Sequence, residues 1–305
     1  MRLDVESVSA LTFGDGSPVR AASAIAAFGG GWLIVQDDAT HAAWWRSGSV
    51  TAVRVVPPVG GLEVFSSAAG TKHLKPDFEA ACVVPVDGAD GVLLLGSGSS
   101  PARTRASVVT ADVPVPGVAG ADLGPVYRDV AAALGLRDDQ LNLEGAALVG
   151  DRLRWFQRAN LAAGVPTACV EIGVAALLAA VTGAGTAARV EIGDVRRYDL
   201  GTVDGVALAV TDAVALPGGR VLVSAAAEDT PNAVDDGPLV GSALALLDDD
   251  GVLATVPLPV PASGPYKVEG LAVRETTADG LRLLAVTDAD DPDAASELLA
   301  LRLAW

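Results

Sequence analysis

Lysine occurs only three times in this 305-residue sequence, histidine and cysteine twice each and methionine once, and aromatic residues make up 4%. Two cysteines cannot build a disulfide scaffold, and Cys82 and Cys169 each stand in an apolar run that suits a buried thiol. With so little His and Cys there is no cluster to suit zinc. Basic residues are scarce overall, 21 against 38 acidic ones for a net charge of −17, which excludes nonspecific binding to nucleic acid or to an anionic membrane. Long apolar runs are lacking too. The longest, Gly173 to Val181, is too short to span a bilayer. The stretch Met1 to Glu6 has no apolar core of the kind a signal peptide carries, so a cytoplasmic location is expected. No linker rich in Pro, Gly or Ser divides the chain, which points to a single domain over residues 1–305.

What is present is a repeat. Five short stretches place an acid or hydroxyl at the start of an apolar strand: Ser23, Glu79, Glu144, Asp204 and Glu269. The steps between them are 56, 65, 60 and 65 residues, and the step from Glu269 through the C-terminus and on from Met1 to Ser23 is another 59. A series that closes on itself predicts a ring of five units.

Each ring position leads into a β-like run, a turn and a second apolar run. The second runs are Trp32 to Val35, Val92 to Leu95, Leu153 to Phe156, Val221 to Val223 and Leu281 to Val286. Polar loops follow at 36–38, 96–105, 157–160, 225–236 and 287–293, and further apolar runs lead away. The spacing predicts an all-β fold, a five-bladed β-propeller with four-stranded blades and the ring residue on the innermost strand. The segment from Val5 to Phe13 is expected to pair with the C-terminal unit and close the last blade. Residues 124–136 read as a short helix after Pro125, and 173–182 as helix or strand.

Carboxylates converging on one axis need a cation. Oxygen-only donors select a hard ion, and the tolerant coordination of calcium suits a ring better than the strict octahedron of magnesium. Ser23, Glu79, Glu144, Asp204 and Glu269 are therefore the expected metal ligands, with Ca2+ as the ion. The glycines after Glu144, Asp204 and Glu269 suit close backbone approach in a narrow channel.

The order Ser, Glu, Glu, Asp, Glu, one per unit, resembles the ring of the calcium-activated nucleotidases (apyrases), five-bladed propellers with a central calcium. The resemblance implies ligand roles for Ser23, Glu79, Glu144 and Glu269, with Asp204 standing where that family has a serine. The segments 268–271 (Val-Glu-Gly-Leu) and 288–291 (Asp-Ala-Asp-Asp) also resemble the esterase-like phytase-domain propellers.

All three lysines, Lys72, Lys75 and Lys267, lie within seven residues upstream of a ring glutamate, and His73 is among them. In a propeller these entries and the loops after the second strands share one face. His73, Lys75, Arg103, Arg158, Lys267 and Asp290 are expected to bind a ligand there. Basic groups near a metal suit a small anionic molecule such as a phosphate ester. Asp290 or His73 could act as general base. The expected function is a calcium-dependent hydrolase of such a molecule, the alternative a non-catalytic ligand- or sugar-binding propeller with a structural calcium.

Overall fold

The computed structural model describes residues 1–112, 115–229, 237–291 and 293–305. Strand β1 (Arg2–Ala10) precedes the first blade, which is β2 (Ala22–Phe28), β3 (Gly31–Gln36), β4 (His41–Arg46) and β5 (Ser49–Arg54). The second blade is β6 (Phe78–Val86), β7 (Ala89–Gly96), β8 (Arg105–Thr110) and β9 (Gly117–Asp122). Helix α1 (Gly124–Leu134) leads to the third blade, β10 (Leu143–Val149), β11 (Arg152–Gln157), β12 (Thr167–Gly173) and, after helix α2 (Val174–Thr182), β13 (Ile192–Tyr198). The fourth adds a two-residue strand β14 (Thr202–Val203) to β15 (Val206–Ala215), β16 (Val221–Glu228), β17 (Leu239–Leu247) and β18 (Val252–Pro257). The fifth is β19 (Val268–Thr277), β20 (Gly280–Thr287) and β21 (Glu297–Ala304), completed by β1.

Every pairing in these sheets is antiparallel, and β1 runs against β21 from Arg2↔Ala304 to Ala10↔Glu297. The first strand thus supplies the outer edge of the last blade, as the spacing predicts, though it runs over Arg2–Ala10 and stops short of Phe13. The innermost strands β2, β6, β10, β15 and β19 contact one another in order, and β19 returns to β2, closing a five-bladed propeller. The ambiguous segment after Gly173 is helix. Part of the loop expected at 225–236 is strand, since β16 runs to Glu228, and 230–236 lies outside the described residues.

The apolar second runs follow from this closure. Each second strand is covered on both faces, because blades pack against blades. Along β7, Leu93 and Leu95 join one core cluster, while Val92 and Leu94 join the next. Along β20, Leu283 and Ala285 face the fourth blade and Leu284 and Val286 the first. Strand alternation with two buried faces yields a continuous apolar run. Five clusters result, one at each blade interface, and α1 and α2 cap the one between the second and third blades. No helix among the described residues is long and apolar enough to cross a membrane.

The same irregularity interrupts all five innermost strands. The register of β2 shifts between Ala22 and Ala24, of β6 between Phe78 and Ala80, and of β10 between Leu143 and Ala146. It shifts again in β15 between Val210 and Asp212, and in β19 between Val268 and Gly270. A bulge re-aims the residue it carries. The residues so displaced are Ser23, Glu79, Glu144 (with Gly145), Thr211 and Glu269.

Candidate functional site

Four of the five expected ring residues therefore occupy one structural position, and the fifth does not. Asp204 lies in the exposed turn between β14 and β15 with φ of +49°, and Thr211, seven residues later, holds the ring position of the fourth blade. The correction has a physical cause. The fourth blade begins with an extra hairpin, so the first Asp-Gly of that repeat is a turn signal and the bulge comes later in β15. A hydroxyl thus stands in the ring where an acid was expected. The sequence held a signal for it, two adjacent polar residues, Thr211 and Asp212, inside an apolar strand.

The two ring hydroxyls behave alike. Ser23 Oγ donates to the Phe78 carbonyl at 2.6 Å, and Thr211 Oγ1 donates to the Val268 carbonyl at 2.7 Å. In each case the acceptor precedes the next blade's ring glutamate. Each hydroxyl proton is used on a carbonyl; Ser23 Oγ keeps both lone pairs, whereas Thr211 Oγ1 lies 3.0 Å from Ser224 Oγ, accepts its proton and keeps one lone pair to meet a cation. Beside Thr211, Asp212 is fully buried, and its carboxylate accepts from Ala213 N at 2.8 Å and from Leu271 N at 2.7 Å, tying β15 to β19.

Gly145 has φ of +75°, and a Cβ there would fall 2.7 Å from Ala213 N and from Asp212 C. A Cβ on Gly270 would fall 2.9 Å from Ala24 C. These two glycines permit the close approach of neighbouring inner strands that the sequence implied. Gly205, after Asp204, meets nothing within 4 Å.

The three ring glutamates feel one another. Burial raises Glu79 well above the usual carboxylate range, Asp77 and Asp37 raise it further, and Glu144 adds to the effect against the pull of Lys75. Burial likewise raises Glu144, opposed by Arg158 and reinforced by Glu269. Arg158 Nη1 reaches both Glu144 oxygens, at 3.1 and 3.0 Å, and Asn142 Nδ2 donates to one of them at 2.7 Å. Glu269 has Lys267 at 3.6 Å. Glu79 carries no hydrogen bond or ion pair among the described residues.

Above the ring, the expected ligand-binding residues do gather, with one exception. Lys75 pairs with Asp37 and, at 2.6 Å, with Asp77. Arg103 pairs with Asp77 at 3.2 Å and donates to Ser99 Oγ at 2.9 Å. Arg158 joins Glu144 to Glu228, and Lys267 contacts Glu228 at 3.3 Å and both oxygens of Asp290 at 2.8 Å. His73 is exposed on a one-turn 3-10 helix, and no member of this network contacts it.

The face therefore differs from the basic surface that the lysine positions suggested. Each of its four bases is held by carboxylates, and the carboxyl groups of Asp37, Asp77, Glu79, Glu144, Glu228, Glu269, Asp288 and Asp290 outnumber them two to one. Asp77, Ser97 (whose hydroxyl donates to Asp77) and Asn142 belong to the network and carry no repeat signal in the sequence. Asp288 is raised to about 7 by burial, with Asp290 and Asp37 adding to the shift.

A hard cation fits this arrangement on two grounds. The ring offers only oxygens, three carboxylates and two hydroxyls, and the carboxylate of Glu79 lacks a partner in a setting already rich in negative charge. One oxygen each of Asp37, Asp77 and Glu79 lie within 4.8 Å of one another, with Lys75 bonded to the first two.

Residues 71–292, from the turn before β6 to the loop after β20, match the family of unknown function DUF6910. The chain belongs to this family. The matched span contains four of the five ring positions and all of the bases at the mouth; Ser23 lies before it. No curated protein matches the sequence. Among solved structures, a glycosyl hydrolase from Bacteroides ovatus is similar over 93% of this chain and 84% of its own, at 11% identity and a TM-score of 0.45. An α-L-arabinanase from Cellvibrio cellulosa covers 94% of this chain and 92% of its own, at 12% identity and a TM-score of 0.41. A GDP-Man-dependent mannosyltransferase from Leishmania mexicana covers 99% and 90%, at 13% and 0.44. Identities and scores at this level say nothing of substrate or chemistry.

Proposed function

We propose that the bulge ring of this DUF6910 protein holds a calcium ion through Ser23, Glu79, Glu144, Thr211 and Glu269, and that the mouth above it hydrolyses a small anionic ester. The observation that carries the reading is the unpartnered carboxylate of Glu79 within a ring of oxygen donors. Glu79 is half-buried among other carboxylates that repel it, and a divalent ion is the partner that serves several at once. The hydroxyl at Thr211 also brings the ring into line with the Ser-Glu-Glu-Ser-Glu order of the nucleotidases it resembles.

A bound divalent ion would supply polarisation of a phosphoryl or ester oxygen. The protein's own groups would do the rest. Arg158 and Lys267, joined through Glu228, form the pair of bases suited to hold the anionic group of a substrate. Asp288, raised to about 7 and near Lys267 and Glu269, is better suited to take a proton from water near neutral pH than Asp290, whose two oxygens are bonded to Lys267.

The engagement of every base by carboxylates favours a second reading, a binding propeller with a structural calcium and no chemistry. One experiment separates them. Purified protein is incubated with p-nitrophenyl phosphate, nucleoside diphosphates and p-nitrophenyl esters, with calcium and with chelator, alongside Arg158→Ala and Asp288→Asn. Turnover that chelator stops and both variants reduce supports the hydrolase. Calcium bound without turnover supports the binder, and absence of bound calcium overturns both.

A further inference from the structure

The two sides of the mouth are wired differently. Lys75 and Arg103 bond Asp37 and Asp77, and neither of these acids belongs to the ring. Arg158 and Lys267 reach ring glutamates directly. Arg158 Nη1 lies 3.1 and 3.0 Å from the two oxygens of Glu144, and its Nη2 donates to Glu228. Lys267 Nζ lies 3.6 Å from Glu269, 3.3 Å from Glu228 and 2.8 Å from Asp290. Glu144, Glu269 and Lys267 are buried and Arg158 is half-buried, so solvent and salt screen these pairs little.

Each of these two bases is therefore shared between the ring and the mouth. Toward the ring, a guanidinium and an ammonium partly compensate Glu144 and Glu269, which is the task a divalent ion would take over. Both Glu144 oxygens face one nitrogen of Arg158, so a cation competes with that nitrogen for the carboxylate. Toward the mouth, Glu228 accepts from Arg158 and stands against Lys267, so it keeps the two bases side by side when their ring contacts open. The N–H groups then released can meet an anion. While they stay on Glu144 and Glu269 they cannot, and the surrounding carboxylates repel one.

We infer that Arg158 and Lys267 form an exchange latch between the two sites. They hold Glu144 and Glu269 while no cation occupies the ring, and turn to an anionic group in the mouth once a cation has taken those glutamates. The latch rests on the calcium ring already proposed and adds its regulation. Cation and anion each raise the other's affinity, by one shared factor, since coupling between two sites is reciprocal.

Isothermal titration of the whole protein tests it, with calcium and with phenylphosphonate, an anion that has no ester bond to cleave, each in the absence and presence of the other. Phenylphosphonate is expected to bind about tenfold more tightly in calcium than in chelator, and calcium about tenfold more tightly with phenylphosphonate present. Arg158→Gln removes the competitor for Glu144. It is expected to bind calcium about fivefold more tightly than wild type when no anion is present, and to lose most of the coupling. A base that merely props the site would weaken calcium binding when removed. Glu144→Gln frees Arg158, and is expected to bind phenylphosphonate in chelator nearly as tightly as wild type does in calcium, which direct contact between ion and anion would not produce. The latch is overturned if phenylphosphonate fails to bind in calcium or binds equally well in chelator, if Arg158→Gln binds calcium no more tightly than wild type, or if Glu144→Gln gains nothing in chelator. Calcium that binds wild type without coupling to the anion overturns the latch and leaves the ring standing; calcium that does not bind at all overturns the ring as well.

Discussion

At the axis, Glu79 and Thr211 carry opposite consequences for substitution. If Glu79 is a charge awaiting an ion, Glu79→Gln removes a repulsion from Asp77, Asp37 and Glu144 in chelator and a ligand in calcium. Thermal melts are expected to show the variant more stable than wild type without calcium, by roughly 1–2 kcal/mol, and unresponsive when calcium is added. Thr211→Val should lose most of the calcium response as well, since it deletes the hydroxyl bonded to the Val268 carbonyl. Asp204→Asn should melt within about 0.5 kcal/mol of wild type and keep the response, because the side chain is exposed in a turn. The acids near the mouth also set a pH dependence. Burial raises Asp38 to about 6, helped by Asp37, and raises Asp288 to about 7. A carboxyl whose folded pKa lies above its unfolded value binds its proton more tightly in the folded state. Its contribution is complete below pH about 4 and is lost as pH rises through 6 and 7. Chelated protein is thus expected to lose stability between about pH 4 and 7, and Asp38→Asn and Asp288→Asn should each flatten that slope in denaturant titrations.

Among the elements, the bulged inner strands set the ring, and their spacing depends on close backbone approach. Gly145→Ala is expected to cost about 2 kcal/mol or more, since it combines a positive φ with a Cβ against Asp212 and Ala213; chemical denaturation would measure it. The inner strands also mark how far the sequence could be read. The blades were legible because closure buries both faces of each second strand, leaving runs such as 92–95 and 283–286 without polar interruption. The role of β1 followed from the spacing around the ends. The fourth ring position was not legible, because a two-residue strand and its Asp204–Gly205 turn mimic the motif, and only the register break at Thr211 reveals the true one. The segment 174–182 is composed almost wholly of Ala, Val and Leu, and such a run gives no period by which helix and strand can be told apart. Pairing at the mouth was hidden for another reason. Arg158 meets Glu228 70 residues away and Lys75 meets Asp37 38 residues away, so a lysine beside a ring glutamate looks free in sequence and is bound in space.

For the molecule as a whole, the account rests on convergence. Five blade interfaces each hold their own apolar cluster, and the inner strands form an unbroken circle from β2 through β19 and back. Such a circle sets the five bulges, with three glutamates and two hydroxyls from distant parts of the chain, on neighbouring inner strands. The bases near that axis are committed to other carboxylates, and the excess of negative charge is what the proposed calcium would offset. Isothermal titration of chelated protein with calcium tests this most directly, with Glu79→Gln and Asp204→Asn run in parallel. One ion per chain is predicted for wild type and Asp204→Asn, with binding abolished in Glu79→Gln; no binding by wild type, or undiminished binding by Glu79→Gln, would contradict the account.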